Sequence, residues 1–297
     1  MSHRSSAVLA LVTSMVLFAA SYTITKVALV DLGPMTLGTV RFLLATLLIA
    51  AWLGVTRGFQ RPTPRDARQL ALGGLLGVTA YFALENLGVA WSTATDATLL
   101  SAAFPAVIAV ADVLLNGARI SPAGWLGIVL AMVGSVGVVL GPVLVGGSPA
   151  GDAVPRRLWG DLLILLAGVV WAFYTFATRD VVRRYSSWTT VLWQDGVGAV
   201  AFVPLALAEA PQWHAPTQPG TTAAAVLVLT VACSVLAMVC YAFAVRHLST
   251  AVVAASINLV PLFGLAIALL VLQEPVVWPQ VVGGLVVVAG VLLTHRS

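Results

Sequence analysis

Six ionisable side chains fall inside long apolar runs: Lys26, Arg41, Glu85, Asp96, Asp112 and Asp195. A charge is costly in hydrocarbon, so each one marks a place where function or a specific partner maintains it. Lys26 is the only lysine of the chain. The pattern of runs sets Lys26, Arg41, Glu85 and Asp96 at one depth, toward the outer face. Two cations and two carboxylates there can form ion pairs that open when a charged solute competes for them, a candidate gate and charge network. In a sharper form, Lys26 or Arg41 meets a carboxylate of the solute, and Glu85 is the first group to test for proton coupling. The alternative for Lys26 is snorkelling to the interface, and for Asp96 plain helix capping.

A second set of residues is uncharged. Thr93–Pro105 (TATDATLLSAAFP) and Ser249–Pro261 (STAVVAASINLVP) read as two copies of one stretch, small residues around a proline near mid-run. Proline removes one helical hydrogen bond and crowds the carbonyl four residues back, here Ser101 or Ile257. Pro105 and Pro261 are therefore expected to kink their helices. Thr98, Ser101, Pro105, Ile108 and Asp112 share one stripe at helical spacing, which lines a path or lets helices approach closely. Asn258 is the most polar group near the middle of the second copy. The rings Phe18, Tyr22, Tyr81, Phe82, Trp171, Tyr174 and Tyr241 fall near span centres. Trp171, Tyr22 and Tyr81, with Ser101, Asn258 and the Asn86 next to Glu85, make the candidate substrate-binding set. A wall of rings favours an apolar or aromatic side chain by stacking and burial.

Other chemistries find little support. A phosphate-cradling loop needs Lys-Ser or Lys-Thr after a glycine-rich run, and Val27 follows Lys26. His3, His214, His247 and His295 lie at termini or in loops, without the spacing of metal ligands or a catalytic base. No cofactor or metal is expected. Cys233 and Cys240 lie two helical turns apart, roughly 10 Å along the axis, too far to bridge. The net charge of +4 comes without a basic block, so nucleic acid is not an expected partner.

The elements that must position these residues are membrane helices. Of 297 residues, 60% are hydrophobic and 9% charged, with a mean hydropathy of +1.01. Soluble domains average about 25% charged, which excludes a soluble fold and makes the lipid bilayer a partner. The expected fold is an all-α integral membrane protein of ten spans: 7–30, 35–55, 70–90, 94–115, 123–141, 159–179, 189–208, 221–245, 250–272 and 277–294. The first run follows Arg4 and passes a cleavage-like Ala19–Ala20–Ser21, but it continues as patterned helix and is read as retained. With the amino terminus inside, Arg4, Arg57, Arg61, Arg65, Arg68, Arg119, Arg179, Arg183, Arg184, Arg246 and Arg296 fall inside, and only Arg156 and Arg157 outside. That bias places both termini in the cytoplasm. Shifts of 153 and 156 residues match Lys26 with Arg179, Arg41 with Gln194, Pro105 with Pro261, Gly127 with Gly283 and Gly134 with Gly290. Two five-span repeats follow, 1–145 and 159–297, joined by an outer linker at 146–158. An odd number of spans inverts one repeat relative to the other, and the two enclose a central cavity.

The chain resembles a ten-span member of the drug/metabolite transporter superfamily built from two EamA-type units. The residues that carry the resemblance are Thr25–Lys26–Val27, Pro34, the Arg41–Phe42 pair before Leu43–Leu44–Ala45, Ser101 to Pro105, Pro261 and the Gln273–Glu274 turn. One departure stands out: the acidic turn usual after the fourth span is replaced by Asn116–Gly117–Ala118–Arg119, so only Glu274 keeps the acid. The resemblance implies export or exchange of small metabolites such as amino acids across a bacterial inner membrane. With the ring-rich centre, it points to neutral amino acids, aromatic ones preferred. Transport of other small hydrophobic metabolites or drugs is the alternative, with a non-transporting scaffold or a membrane enzyme more remote. Oligomeric state is not legible.

Overall fold

A computed structural model describes residues 3–56, 58–145, 153–248, 252–253, 256–257 and 259–295. Among them there are helices, turns and no strand. This suits a chain in lipid, where each backbone polar group must be satisfied within its own segment. The helices are α1 His3–Ala28, α2 Pro34–Thr56, α3 Pro64–Trp91, α4 Ala94–Ser101, α5 Phe104–Asn116 and α6 Pro122–Leu144. They continue with α7 Ala153–Thr178, α8 Ser187–Glu209, α9 Pro219–His247, α10 Leu259–Val271 and α11 Trp278–His295.

Seven of these are long and apolar enough to cross a membrane: α1, α2, α3, α6, α7, α8 and α9. α4 and α5 pass the same test together, bent by 42° at the break between them. The break falls at Ala102–Ala103, and Pro105 stands in the first turn of α5, where its missing N–H costs no helical bond. α10 and α11 are apolar but shorter. Pro261 lies in the first turn of the described part of α10, while Asn258 and the residues at 249–251 and 254–255 lie outside the described residues.

Local chemistry sets the helix ends. Thr63, Thr93, Ser121 and Ser186 each accept an N–H of the first turn, from Asp66, Asp96, Gly124 and Thr189. Such caps satisfy donors that a helix start would otherwise leave bare. α3 thus begins at Thr63–Pro64 rather than at 70, and α7 begins at Ala153, ahead of the expected 159. Within α3 and α9 the turns Leu75–Ala80 and Leu229–Leu236 widen to π geometry. Each widened turn sits just before, or over, residues that face the centre.

The most extensive helix pairs are α6 with α11, α2 with α8, α3 with α7, and α1 with both α9 and α10. α6 and α11 touch through backbone: a Cβ added at Gly127 would stand 2.4 Å from the Gly290 carbonyl oxygen, and one at Gly134 would stand 2.5 Å from that of Gly283. Side chains such as Leu47, Val129, Met132, Val200, Leu227 and Leu285 point outward and are exposed, an apolar belt suited to lipid.

Candidate functional site

The widened turn of α3 presents Tyr81, Phe82 and Glu85 to the middle of the molecule, and that of α9 presents Ser234, Met238 and Tyr241. Between them lies a small pocket of about 70 Å³. Tyr22 of α1, Arg41 of α2, Ser101 of α4 and Trp171 of α7 complete its wall. The rings are in mutual contact: Trp171 is 5.0 Å from Tyr81, 4.8 Å from Tyr174 and 6.5 Å from Tyr241, centre to centre. The Tyr22 hydroxyl lies beside those of Tyr81 and Ser101, and Tyr81 also faces Glu85.

Two charges break this apolar and hydroxyl lining. Arg41 is 1% exposed. Its Nε donates to Ser234 Oγ at 2.6 Å, and its guanidinium carbon lies 4.7 Å from the centre of the Phe82 ring and 5.1 Å from that of Phe42. Cation–π contact of this kind offsets part of the desolvation of a buried guanidinium. Nη1 of Arg41 nevertheless has no hydrogen-bond partner, and neither has Oε1 of Glu85, itself 2% exposed. A buried polar atom without a partner forfeits its full desolvation cost, about 1–3 kcal/mol and more when charged. Asp195 of α8 is also fully buried with neither oxygen partnered, although it does not line the pocket.

A larger cavity of about 540 Å³ adjoins the pocket, sharing Met238 and Tyr241 with it. Its wall runs from buried Tyr174 and Gln194 past Pro105 and Asp112 to Arg179, Asp180 and Arg183. Arg179 and Asp180 are exposed, so this cavity opens at the end rich in arginine. The opposite end is closed off from the pocket: a cavity of about 910 Å³ there, lined by Lys26, Asp31 and Trp213 among others, shares no residue with it. There Lys26 Nζ donates to the carbonyls of Val89 and Ser92, at 2.7 and 2.5 Å, closing the C-terminal end of α3. Glu274 accepts the first N–H groups of α4, from Ala94 at 3.0 Å and Thr95 at 2.8 Å. Asp96 is fully buried and receives Arg157 Nε at 2.8 Å and the Gln280 amide. Asp161, one turn beyond Arg157, contacts the Ser92 hydroxyl.

The four residues expected at one depth thus divide into two groups. Arg41 and Glu85 share the central pocket, whereas Lys26 and Asp96 belong to the shut end, where Lys26 meets carbonyls and Asp96 meets Arg157. Arg157 was expected in a linker loop and instead stands in α7. Of the expected binding set, Tyr22, Tyr81, Ser101 and Trp171 line the pocket together. Asn86 does not: its amide donates to the Pro34 carbonyl at 3.0 Å and ties α3 to the start of α2. Asn258 lies outside the described residues. Ser92, Asp161 and Gln280 escaped the sequence reading, although the spacing of Arg157 and Asp161, one helical turn, is a signal that pairs them on one face. Among the described residues no group of three or more His, Cys, Asp or Glu could hold a metal ion.

Known proteins resemble this arrangement along nearly its whole length. The model of the EamA-like transporter family matches residues 5–140 and again 158–296. An uncharacterized transporter of Archaeoglobus fulgidus is 30% identical, over 96% of this chain and 96% of its own. A probable terminal-alkyne amino-acid exporter of Streptantibioticus cattleyicolor is also 30% identical, over 98% of this chain and 94% of its own. A solved crystal structure 20% identical in sequence superposes with a TM-score of 0.65, covering 97% of this chain and 96% of that one.

Proposed function

Because the chain belongs to the EamA-like transporter family, we propose that it is a secondary transporter exporting neutral amino acids, aromatic ones preferred, by alternating access. The observation that carries this reading is the pair of unsatisfied charges on one pocket wall, Arg41 Nη1 and Glu85 Oε1. An α-amino acid brings a carboxylate for the first and an ammonium for the second, and the rings of Trp171, Tyr81 and Tyr241 receive its side chain. The name of the Streptantibioticus cattleyicolor relative, an amino-acid exporter, supports the same solute class. The pocket of about 70 Å³ holds only the polar head, while the adjoining 540 Å³ is in the range of small-molecule sites.

Ten spans in two inverted repeats are part of this reading, with α10 and α11 as the described parts of the last two. The packing supports it. Exchanging the first five spans with the last five turns the α3–α7 pair into α9–α1 and returns α2–α8, α4–α10 and α6–α11 to themselves. The widened turns of α3 and α9 also correspond, and Gly127 with Gly290 and Gly134 with Gly283 meet across the α6–α11 pair. Arg61, Arg65, Arg68, Arg119, Arg179, Arg183, Arg184 and Arg246 gather at the end where the larger cavity opens. By the positive-inside rule that end is cytoplasmic, in a bacterial inner membrane, and the described conformation faces inward with its outer end closed.

Efflux from proteoliposomes loaded in turn with phenylalanine, leucine and the uncharged ring indole tests the proposal. Phenylalanine should leave fastest, and Arg41→Gln or Glu85→Gln should each slow it by about 30-fold or more, as expected when one partner of a desolvated charge pair is removed. Equal efflux of phenylalanine and leucine would defeat the ring-wall argument. Indole crossing as fast, with Arg41→Gln silent, would replace amino acids by small hydrophobic metabolites or drugs.

A further inference from the structure

The shut end contains a proton-counting problem that the central pocket does not share. Ser92 Oγ lies within hydrogen-bonding distance of two carboxylates, Asp96 Oδ2 at 3.3 Å and Asp161 Oδ1. A hydroxyl has one proton to give, so both contacts are hydrogen bonds only if one carboxyl carries a proton and donates it to Ser92. The two carboxyls are not equivalent. Asp96 has ionic and amide donors of its own: both Arg157 Nε and Nη2 reach Oδ2, and Gln280 Nε2 reaches Oδ1. Asp161 has Ser92 alone, and its Oδ2 is buried with no partner at all. Two buried carboxylates therefore face one guanidinium. In a low-dielectric site, like charges that close do not both ionise.

We propose that Asp161 is a proton-binding site, and that its proton, shared through Ser92 with ionised Asp96, holds the outer end closed. The proton comes from water at that end and bonds to Asp161, whose carboxyl then donates to Ser92 while Ser92 donates to Asp96. Its release to the same water leaves a second carboxylate that competes with Asp96 for Arg157. α7 and α4 are then driven apart, and α11, held through Gln280, loses its bond to Asp96. The surrounding charges are few. Arg157 is on the same helix, Asp96 comes from α4, and Lys26 of α1, Arg156 of α7 and Glu274 after α10 lie in the next layer. α3, which also packs on α7, has Arg65, Asp66 and Arg68 at the opposite end and Glu85 in the central pocket. The closed outer end belongs to the alternating-access reading, but the proton site stands on the contacts alone.

Infrared spectroscopy of the purified full-length protein tests the site directly, because a protonated carboxyl and a carboxylate absorb separately. A carboxylic band that titrates with pH should be missing in Asp161→Asn, and its midpoint should move in Ser92→Ala, which keeps both acids and removes the shared hydroxyl. An unchanged set of bands in both variants would overturn the proposal. The latch is read by maleimide labelling of Ala97→Cys, a fully buried position of α4 next to the cluster, with Cys233→Ala and Cys240→Ala in place. As the pH is raised through the midpoint of that carboxylic band, labelling should accelerate by about tenfold more with Asp161 present than with Asp161→Asn, the neutral stand-in for the protonated acid. Equal acceleration in both would show that the proton does not hold this end. A titrating band with no labelling at any pH would keep the proton site and reject alternating access instead.

Discussion

The central pocket and the shut outer end are both built from buried charges on several helices, yet they treat them in opposite ways. At the outer end, Asp96 is surrounded by donors, Lys26 by carbonyls and Glu274 by N–H groups. In the pocket, Arg41 and Glu85 each keep an atom without a partner. The paired charges hold helices together, whereas Arg41 and Glu85 are held ready for a solute and Asp161, whose Oδ2 lacks a partner at the outer end, for a proton. The contrast is broken most forcefully by two substitutions. Arg41→Met should abolish amino-acid efflux at a smaller cost in stability, because it removes one side-chain hydrogen bond, to Ser234, and a nitrogen that had no partner. Asp96→Ala strands Arg157 and Gln280 and should cost about 3–5 kcal/mol, read as a fall in the unfolding midpoint. Equal loss of stability in both would erase the distinction between pocket and latch.

A smaller effect sharpens the same contrast on the outer side. Glu274 serves α4 from a turn remote in sequence, as Glu209 serves α2 by accepting the N–H groups of Met35 and Thr36 at 2.9 and 2.8 Å. A carboxylate at a helix start also meets the positive end of the helix dipole. Glu274→Ala should therefore lower stability by about 0.5–2 kcal/mol, the usual range for a lost cap. Efflux should fall less than with Arg41→Met, since no pocket atom is touched. A Glu274→Ala protein that is as stable as the parent but inactive would move Glu274 from architecture to function.

Much of this was legible in the sequence, and the failures have physical causes. Apolar runs found the long helices, because a chain in lipid must close its backbone bonds within each run. They missed the first turns of α3 and α7, since Arg65, Asp66 and Arg68, or Arg156 and Arg157, are polar yet helical once Thr63 and Pro64, or the tertiary contacts of α7, fix them. The kink near Pro105 could be expected from proline chemistry, and the ring-lined centre from the positions of Trp171, Tyr22 and Tyr81. Depth was harder. A run gives position along a helix but not its face, so Lys26 and Arg41 looked like one layer although one closes α3 and the other lines the pocket. Asp161 was hidden because an acid near the edge of an expected span reads as an interface residue. Only the fold reveals that Ser92 and Asp96 meet it.

The smallest effect belongs to a group outside the spans. Asp31, in the turn after α1, accepts from Thr217 N and Oγ1 at 2.8 and 2.6 Å, from Gln218 N at 3.0 Å and from Thr222 Oγ1 at 2.5 Å. The bonds from the Thr217 and Thr222 hydroxyls, and then those from the backbone, hold its carboxyl well below the usual carboxylate range. A depressed folded-state value means that the unfolded chain takes up a proton first as acid is added. The stabilisation by Asp31 is therefore complete above the ordinary value of about 4 and is lost as the pH falls from there toward the lower folded-state value. Thermal unfolding of the parent and of Asp31→Asn should differ by a constant amount from about pH 7 to pH 5, and the two should converge below about pH 4. The outer latch predicts the opposite sign, since a proton there closes the structure rather than loosening it. If the gap between parent and Asp31→Asn instead widened on acidification, Asp31 would have to be grouped with Asp161, and the division between fixed caps and titrating latch would fail at its outermost point.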